Sequence, residues 1–208
     1  MLTILGRKNS SNVQKVLWAC DELQLDFQRE DVGGPFGRNH APDYLALNPN
    51  GLIPTLLDDG FVLWESHAIV RYLAAQHAPN LLHPDAPQQV ALADQWMDWC
   101  QTTVLPVIRP VFWGLVRTPA EQRDLQAIAN ARDELAGLLG ILDKHLSGSA
   151  YVAGDSFTMG DIPLGVMVYR WYTMDIERET FPHLARWYEC LVDRSAFREY
   201  VMIGLGPR

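Results

Sequence analysis

The chain has 208 residues, is 48% hydrophobic, and carries 17 Lys and Arg against 25 Asp and Glu, a formal net charge of −8. That length and apolar content suit one or two globular domains with a substantial core. The acidic balance, with a pI near 5.1, excludes the broad basic face that a nucleic-acid partner requires.

Residues 2–5 (Leu-Thr-Ile-Leu) form a short β-rich run closed by Gly6. No signal-type apolar segment precedes it and no stretch is long enough to span a bilayer, so a cytoplasmic protein with no membrane partner is expected. Val13, Val16, Leu17, Cys20 and Leu23 recur at helical spacing and predict a helix over 11–23. Residues 27–32 alternate like a second strand, and Gly33, Gly34, Pro35 and Gly37 form a loop. A short helix is expected over 42–47, followed by the turn Asn48-Pro49-Asn50-Gly51. Residues 54–57 and 61–63 read as a hairpin around Asp58-Asp59-Gly60, and 65–76 as a helix with Ala68, Ile69, Tyr72 and Leu73 facing inward. The order β-α-β-α-β-β-α makes one small α/β layer domain.

Pro79, Pro84 and Pro87 mark a linker over 79–87, which predicts one domain at 1–78 and another at 88–208. The second domain is helical throughout, with helices expected over 90–116, 120–146, 159–174 and 181–193. Thr158 and Asp161 form a capping box, with the Thr158 hydroxyl expected to accept from the Asp161 N–H and the Asp161 carboxylate to reach back. Phe157 and Ile162 occupy the staple positions, and Pro163 is expected to remove one backbone bond in the second turn. Cys20, Cys100 and Cys190 are far apart and form no CxxC pair, which argues against a disulfide framework and against a metal site. Each lies in an apolar helical pattern, so all three thiols are expected to be buried.

Three segments carry chemistry. Gly6-Arg7-Lys8-Asn9-Ser10-Ser11-Asn12 joins the first strand to the first helix, where free N–H groups and the positive helix end favour an anion such as a thiolate. A serine hydroxyl would add one hydrogen bond to its sulfur; the same pattern also suits Ser10 or Ser11 as a plain helix cap. Ile53-Pro54 opens a strand; a cis bond there would turn the Ile53 N–H and C=O toward a peptide-like ligand, and an ordinary trans edge proline is the alternative. Glu65-Ser66 starts a helix and suits an amino-acid head group, with Ser66 and backbone N–H groups on the carboxylate and Glu65 on the ammonium.

These pieces together resemble the cytosolic glutathione S-transferase family, and within it the bacterial theta-like serine-type branch, over essentially the whole chain. The resemblance rests on Asn48-Pro49-Asn50-Gly51-Leu52-Ile53-Pro54, on Leu63-Trp64-Glu65-Ser66 with Ile69-x-Arg71-Tyr72-Leu73, and on the Phe157–Ile162 cap. It implies a thioredoxin-like N-terminal domain with a mixed four-stranded sheet and an all-α C-terminal domain. It implies a detoxifying transferase that takes glutathione as co-substrate, needs no other cofactor and works as a homodimer. It makes cis-Pro54, Ile53, Glu65 and Ser66 glutathione contacts and Ser10 the thiolate partner. Ser11 is adjacent, and Asn12, where many members have Pro, brings an amide within reach of the sulfur. Asn39 or His40, beside Arg38, would hold the glycine carboxylate.

The electrophile pocket would take Arg109, Phe112, Trp113 and Arg117 from a helix kinked at Pro106 and Pro110, the arginines receiving a halogenated or otherwise acidic molecule. Tyr169, with Trp171 and Tyr172, would add to it, although aromatics at helical spacing also read as core. Trp96 and Trp99 suit either a dimer face or the core. The alternatives are a non-catalytic glutathione-binding or interaction module and a glutathione-dependent peroxidase or disulfide reductase. The strand-helix loop holds no cysteine, which disfavours thiol exchange.

Overall fold

The computed structural model describes residues 1–77 and 82–205. The first part runs β1 (Leu2–Leu5), α1 (Ser11–Glu22), β2 (Phe27–Glu30), α2 (Pro42–Leu47), β3 (Thr55–Asp58), β4 (Phe61–Trp64) and α3 (Ser66–His77). The four strands are ordered β2-β1-β3-β4, with β1 parallel to β2 and antiparallel to β3, and β3 antiparallel to β4. A parallel pair needs a crossover, and α1 supplies it, whereas the antiparallel pair β3–β4 needs only the turn at Asp59-Gly60. This is the thioredoxin-like arrangement that the family resemblance implied.

Side chains alternate across the sheet. Leu2, Ile4 and Leu56 face α1 and α3 and join Val13, Val16, Leu17, Ile69 and Leu73 in the main core. Leu5 and Val32 face the other way and form a small cluster with Tyr44 of α2. Gly6 lets α1 cross close over the end of β1, because a Cβ there would lie 2.5 Å from Val13 Cγ2.

The helical part contains α4 (Pro87–Trp99), α5 (Leu105–Phe112), α6 (Leu125–Leu146), α7 (Asp161–Thr173), α8 (Pro182–Val192) and α9 (Ser195–Tyr200). The single helix expected over 90–116 is divided by π turns at Cys100–Val104 and Trp113–Arg117. Pro106 falls in the first turn of α5, and Pro110 lies inside it. The wider π turns flank the segment whose regular ladder those prolines interrupt. The next helix begins at Leu125, later than expected, with the Asp124 carboxylate accepting from Ala127 N–H as its cap. Helix α9, which periodicity did not reveal, has only six residues and buries only Ala196 and Phe197.

The cap of α7 corrects two expectations. Asp161 is fully buried and accepts from the N–H groups of Thr158 (2.9 Å) and Val152 (3.0 Å) and from Trp187 Nε1 (2.9 Å). The Thr158 hydroxyl, however, accepts from Gly160 N–H at 3.3 Å, not from Asp161 N–H, which bonds the Thr158 carbonyl. Pro163 is the third residue of α7, in the first turn, where its missing N–H would have had no intrahelical partner.

Both parts share one continuous core. Trp18 of α1 packs on Phe197 (centroids 4.8 Å apart) and Phe157 (5.5 Å). A Cβ on Gly165 of α7 would lie 2.8 Å from that indole. Charged clamps close the seam: Arg71 of α3 bonds Asp94 at 2.6 Å and Asp98 on α4, and Arg194 holds Glu22 of α1 through two bonds of 2.7 and 2.6 Å. The expected boundary between 78 and 79, with Pro79, lies outside the described residues. Cys20 and Cys100 are buried as expected, but Cys190 is exposed, on the outer face of α8.

Candidate active site

The β1–α1 junction opens into a cavity of about 360 Å³. Its walls include Arg7, Asn9, Ser10, Ser11 and Asn12 from the junction and Arg109, Phe112, Trp113, Arg117 and Arg170 from the helical part. A second cavity of about 130 Å³ adjoins it, lined by Asn12, Asn48, Asn50, Ile53, Pro54, Glu65, Ser66 and Gln101 among others. Asn12 and Leu52 line both. The structure therefore gathers the three polar segments singled out in the sequence around one divided cleft.

Ser10 stands at the N-cap of α1 in an extended conformation, yet its side chain makes no capping bond. The capping reading therefore does not hold for Ser10, and its hydroxyl stays available to the cleft. The first-turn N–H groups of α1 have no intrahelical partners, and that turn contains no acidic residue, so the positive helix end is unscreened. Asn12 Oδ1 accepts from Lys15 Nζ at 3.0 Å.

The smaller cavity is built on a rigid turn. Buried Asn48 donates to the Leu52 carbonyl (2.9 Å) and Thr55 Oγ1 (3.2 Å), and its Oδ1 accepts from Asn50 N–H (3.1 Å). Tyr44 hydroxyl adds contacts of 2.5 Å to the Leu52 carbonyl and 2.9 Å to Thr55 Oγ1. The Ile53–Pro54 bond is cis, and Ile53 precedes the β3 ladder, which begins at Thr55. Glu65 sits at φ 72°, in the left-handed region, so that exposed Glu65 and buried Ser66 turn into the cleft at the start of α3.

Asn39 and His40 line neither cavity. Asn39 Nδ2 bonds the Gly51 carbonyl at 2.7 Å, and a Cβ on Gly51 would lie 2.7 Å from His40 Nδ1. Both residues contact the turn at Gly51, with His40 exposed. Tyr169 is also absent from the cleft: it is buried, its hydroxyl donates to the Ile203 carbonyl at 2.8 Å, and its ring meets Phe197 edge-on. Trp171 is buried as well, and Tyr172 stacks on Tyr188, so these aromatics are core. Trp96 is buried against Trp99 and His145.

Two residues absent from the expectations enter the walls. Gln101, carried by the first π turn, has a buried Oε1 with no hydrogen-bond partner among the described residues, at the edge of the smaller cavity. Arg170 lies beneath the larger cavity, its guanidinium 4.0 Å above the Phe112 ring, with a buried Nε that has no partner among the described residues. Burial, with Arg117 and Arg7 nearby, pushes its pKa down to about 10, and it stays a cation at neutral pH. Four arginines and no carboxylate line this cavity among the described residues. A single cation within the apolar run 162–169 and Trp171 was the sequence signal for Arg170.

Fold and cleft define a two-part protein: a thioredoxin-like sheet presenting a polar strand-helix junction and a cis-proline turn, closed over by a helical part. Two family models match, the glutathione S-transferase N-terminal domain over residues 9–76 and the C-terminal domain over 126–190. Glutathione S-transferase GstB of Escherichia coli K12 is 44% identical over 98% of this chain and 99% of its own. Glutathione S-transferase D6 of Drosophila melanogaster is 30% identical over 90% of this chain and 86% of its own. The glutathione-bound crystal structure of the theta class glutathione S-transferase of Xanthomonas axonopodis pv. citri superposes with a TM-score of 0.95 at 51% identity, covering 98% of each chain. The chain belongs to the glutathione S-transferase family.

Proposed function

We propose that this chain binds glutathione in the smaller cavity and uses its thiolate, held at the β1–α1 junction, to attack a small electrophile in the arginine-lined cavity. Glutathione is the co-substrate. Ser66 and the first-turn N–H groups of α3 take the γ-glutamyl carboxylate, Glu65 takes the ammonium, and Ile53 pairs with the peptide backbone. Ser10 and Asn12 donate to the sulfur, with Ser11 alongside and the end of α1 behind. Catalysis then follows from a thiolate poised at neutral pH beside a positioned electrophile, without a covalent enzyme intermediate.

The observation that carries the reading is the junction of the two cavities at Asn12 and Leu52, directly over the α1 N-terminus. The wall chemistry supports an acidic electrophile. Arg109, Arg117 and Arg170 favour an acid, such as a halogenated carboxylate, from which the thiolate displaces halide as a C–S bond forms and the C–halogen bond breaks. A homodimer is part of the same proposal; exposed Phe61 and Trp64 on edge strand β4 and Leu92 on α4 offer the apolar surface for it.

A pair of electrophiles of similar size, chloroacetate and chloroacetamide, tests this when each rate is taken relative to its uncatalysed reaction with glutathione. With glutathione, kcat/KM should favour the acid by about tenfold or more, and Arg170→Leu should remove that preference while leaving the KM for glutathione in place. Glutathione binding without turnover of any electrophile would support a non-catalytic module, and turnover confined to hydroperoxides would support a peroxidase.

A further inference from the structure

Lys15 is the least expected residue of α1. It is 1% exposed, in the second turn of the helix that opens at Ser11. A buried ammonium is costly unless it is paired, and here no carboxylate forms an ion pair with it among the described residues. Its partners are both neutral acceptors: Asn12 Oδ1 at 3.0 Å and His67 Nε2 at 3.0 Å. Because Nε2 accepts, the His67 ring proton sits on Nδ1. Burial, with Lys15 and Arg71 beside it, holds His67 neutral with a pKa near 2. The other groups facing Lys15 are Cys100 from the first π turn, Arg170 from α7 and Glu65 ahead of α3. Burial pushes the Cys100 thiol up to about 11, so it supplies no counter-charge.

The bond to Asn12 has a directional consequence. Asn12 lines both cavities. With Oδ1 turned inward onto the ammonium, Nδ2 is the branch left to face the cleft, and it has no hydrogen-bond partner among the described residues. A free amide carries no such preference, and its oxygen facing the sulfur would repel a thiolate. Lys15 therefore sets which end of Asn12 the ligand meets.

We infer that Lys15 is a positioning residue for the glutathione thiolate: its buried ammonium locks Asn12 as a donor toward the sulfur, and its missing counter-charge is the sulfur anion itself. This rests on the glutathione site proposed above. It assigns to α1 a full positive charge behind the partial charge of the helix terminus, on the protein side of the thiolate.

The test titrates the thiol of bound glutathione by its thiolate ultraviolet absorbance in the wild type, Lys15→Met, Lys15→Gln and Asn12→Ala, with kcat and KM measured alongside. Lys15→Met should raise the bound thiol pKa by about one unit, cutting kcat at neutral pH about three- to fivefold while glutathione is still bound. Lys15→Gln, which keeps a donor for Asn12 without the charge, should recover part of the loss. Asn12→Ala should raise the pKa with the buried cation still present, though it loses one of its two acceptors. A folded Lys15→Met protein that titrates its bound thiol at the wild-type pH overturns the inference. If Lys15→Met does not fold, wild-type titration in both other variants overturns it equally. Failure of the wild type to bind glutathione would instead sink the glutathione site while leaving the Lys15–Asn12 geometry standing.

Discussion

At the scale of single residues, the cleft is assembled from side chains placed where stability alone would not put them. Lys15 shows this most clearly. Burial lowers its pKa from 10.5 to about 8, which corresponds to about 3 kcal/mol against the folded state at neutral pH. Two hydrogen bonds to neutral acceptors return about 1 kcal/mol each. Lys15→Met should therefore leave the folded protein as stable or more stable by ~1 kcal/mol at pH 7, in the same variant that activates the thiol less well. The sign with pH follows. Below about 8 both folded and unfolded chains hold the proton, and the burial cost acts in full. Between about 8 and 10.5 only the unfolded chain holds it, so the Lys15 contribution to stability rises with pH across that window. Chemical denaturation of wild type and Lys15→Met at pH 7 and pH 10 checks this; between the two the wild type should gain about 2–3 kcal/mol on the variant, enough to reverse their order. A Lys15→Met protein several kcal/mol less stable at pH 7 would make Lys15 a structural residue.

At the scale of elements, helix ends do the positioning. The α1 terminus faces the larger cavity, and Gly6 admits the helix close to β1. The α3 terminus opens on the smaller cavity, with Glu65 at φ 72°. For a residue with a side chain the left-handed region costs about 1–2 kcal/mol, and glycine enters it freely. Glu65→Gly should thus change stability by no more than ~1 kcal/mol, in the favourable direction, yet abolish retention on immobilised glutathione. Thermal unfolding and a binding assay on the one variant separate the two effects; loss of stability together with retained binding would contradict the role of Glu65.

Much of this element scale was legible in the sequence, and the gaps have physical causes. The β1, α1, α2 and α3 segments have clean periods of two or 3.6, and their limits fall within a residue or two of expectation. The Asp161 cap was readable because its partners are local, but the bonds it receives from Val152 and Trp187 come from residues 9 and 26 positions away and leave no local trace. The π turns arise from tertiary packing around two prolines, so a 3.6 pattern passes straight over them. Tyr169 was misplaced because a helix rich in aromatics buries several faces, and spacing alone does not say which one meets a cavity. Asn39 and His40 are expected in the cleft from their place before α2, and the loop seats them against Gly51, next to residues that line the smaller cavity. Ser10, Asn12, Glu65 and Ser66 line the cleft because loop-to-helix junctions expose backbone donors in predictable places, and Ile53 lines it from the turn before β3.

At the scale of the whole molecule, the larger cavity exists only because the two parts share a core. Trp18 on the sheet side and Phe157, Gly165 and Phe197 on the helical side fix how Arg109, Phe112 and Arg170 lie over the strand-helix junction. Cleft chemistry thus depends on the seam as well as on local sequence. The net charge of −8 makes the local arginine cluster stand out, since the surface at large is acidic. Among the described residues no helix is long and apolar enough to cross a membrane.

The most direct test of the account is the pH titration of glutathione bound to the unaltered protein, followed by the absorbance of its thiolate. A helix terminus, a serine hydroxyl, the Asn12 amide and a buried ammonium around the sulfur predict an apparent pKa below 7, against about 8.5 for a free thiol. A bound thiol that titrates no lower than free glutathione would contradict it.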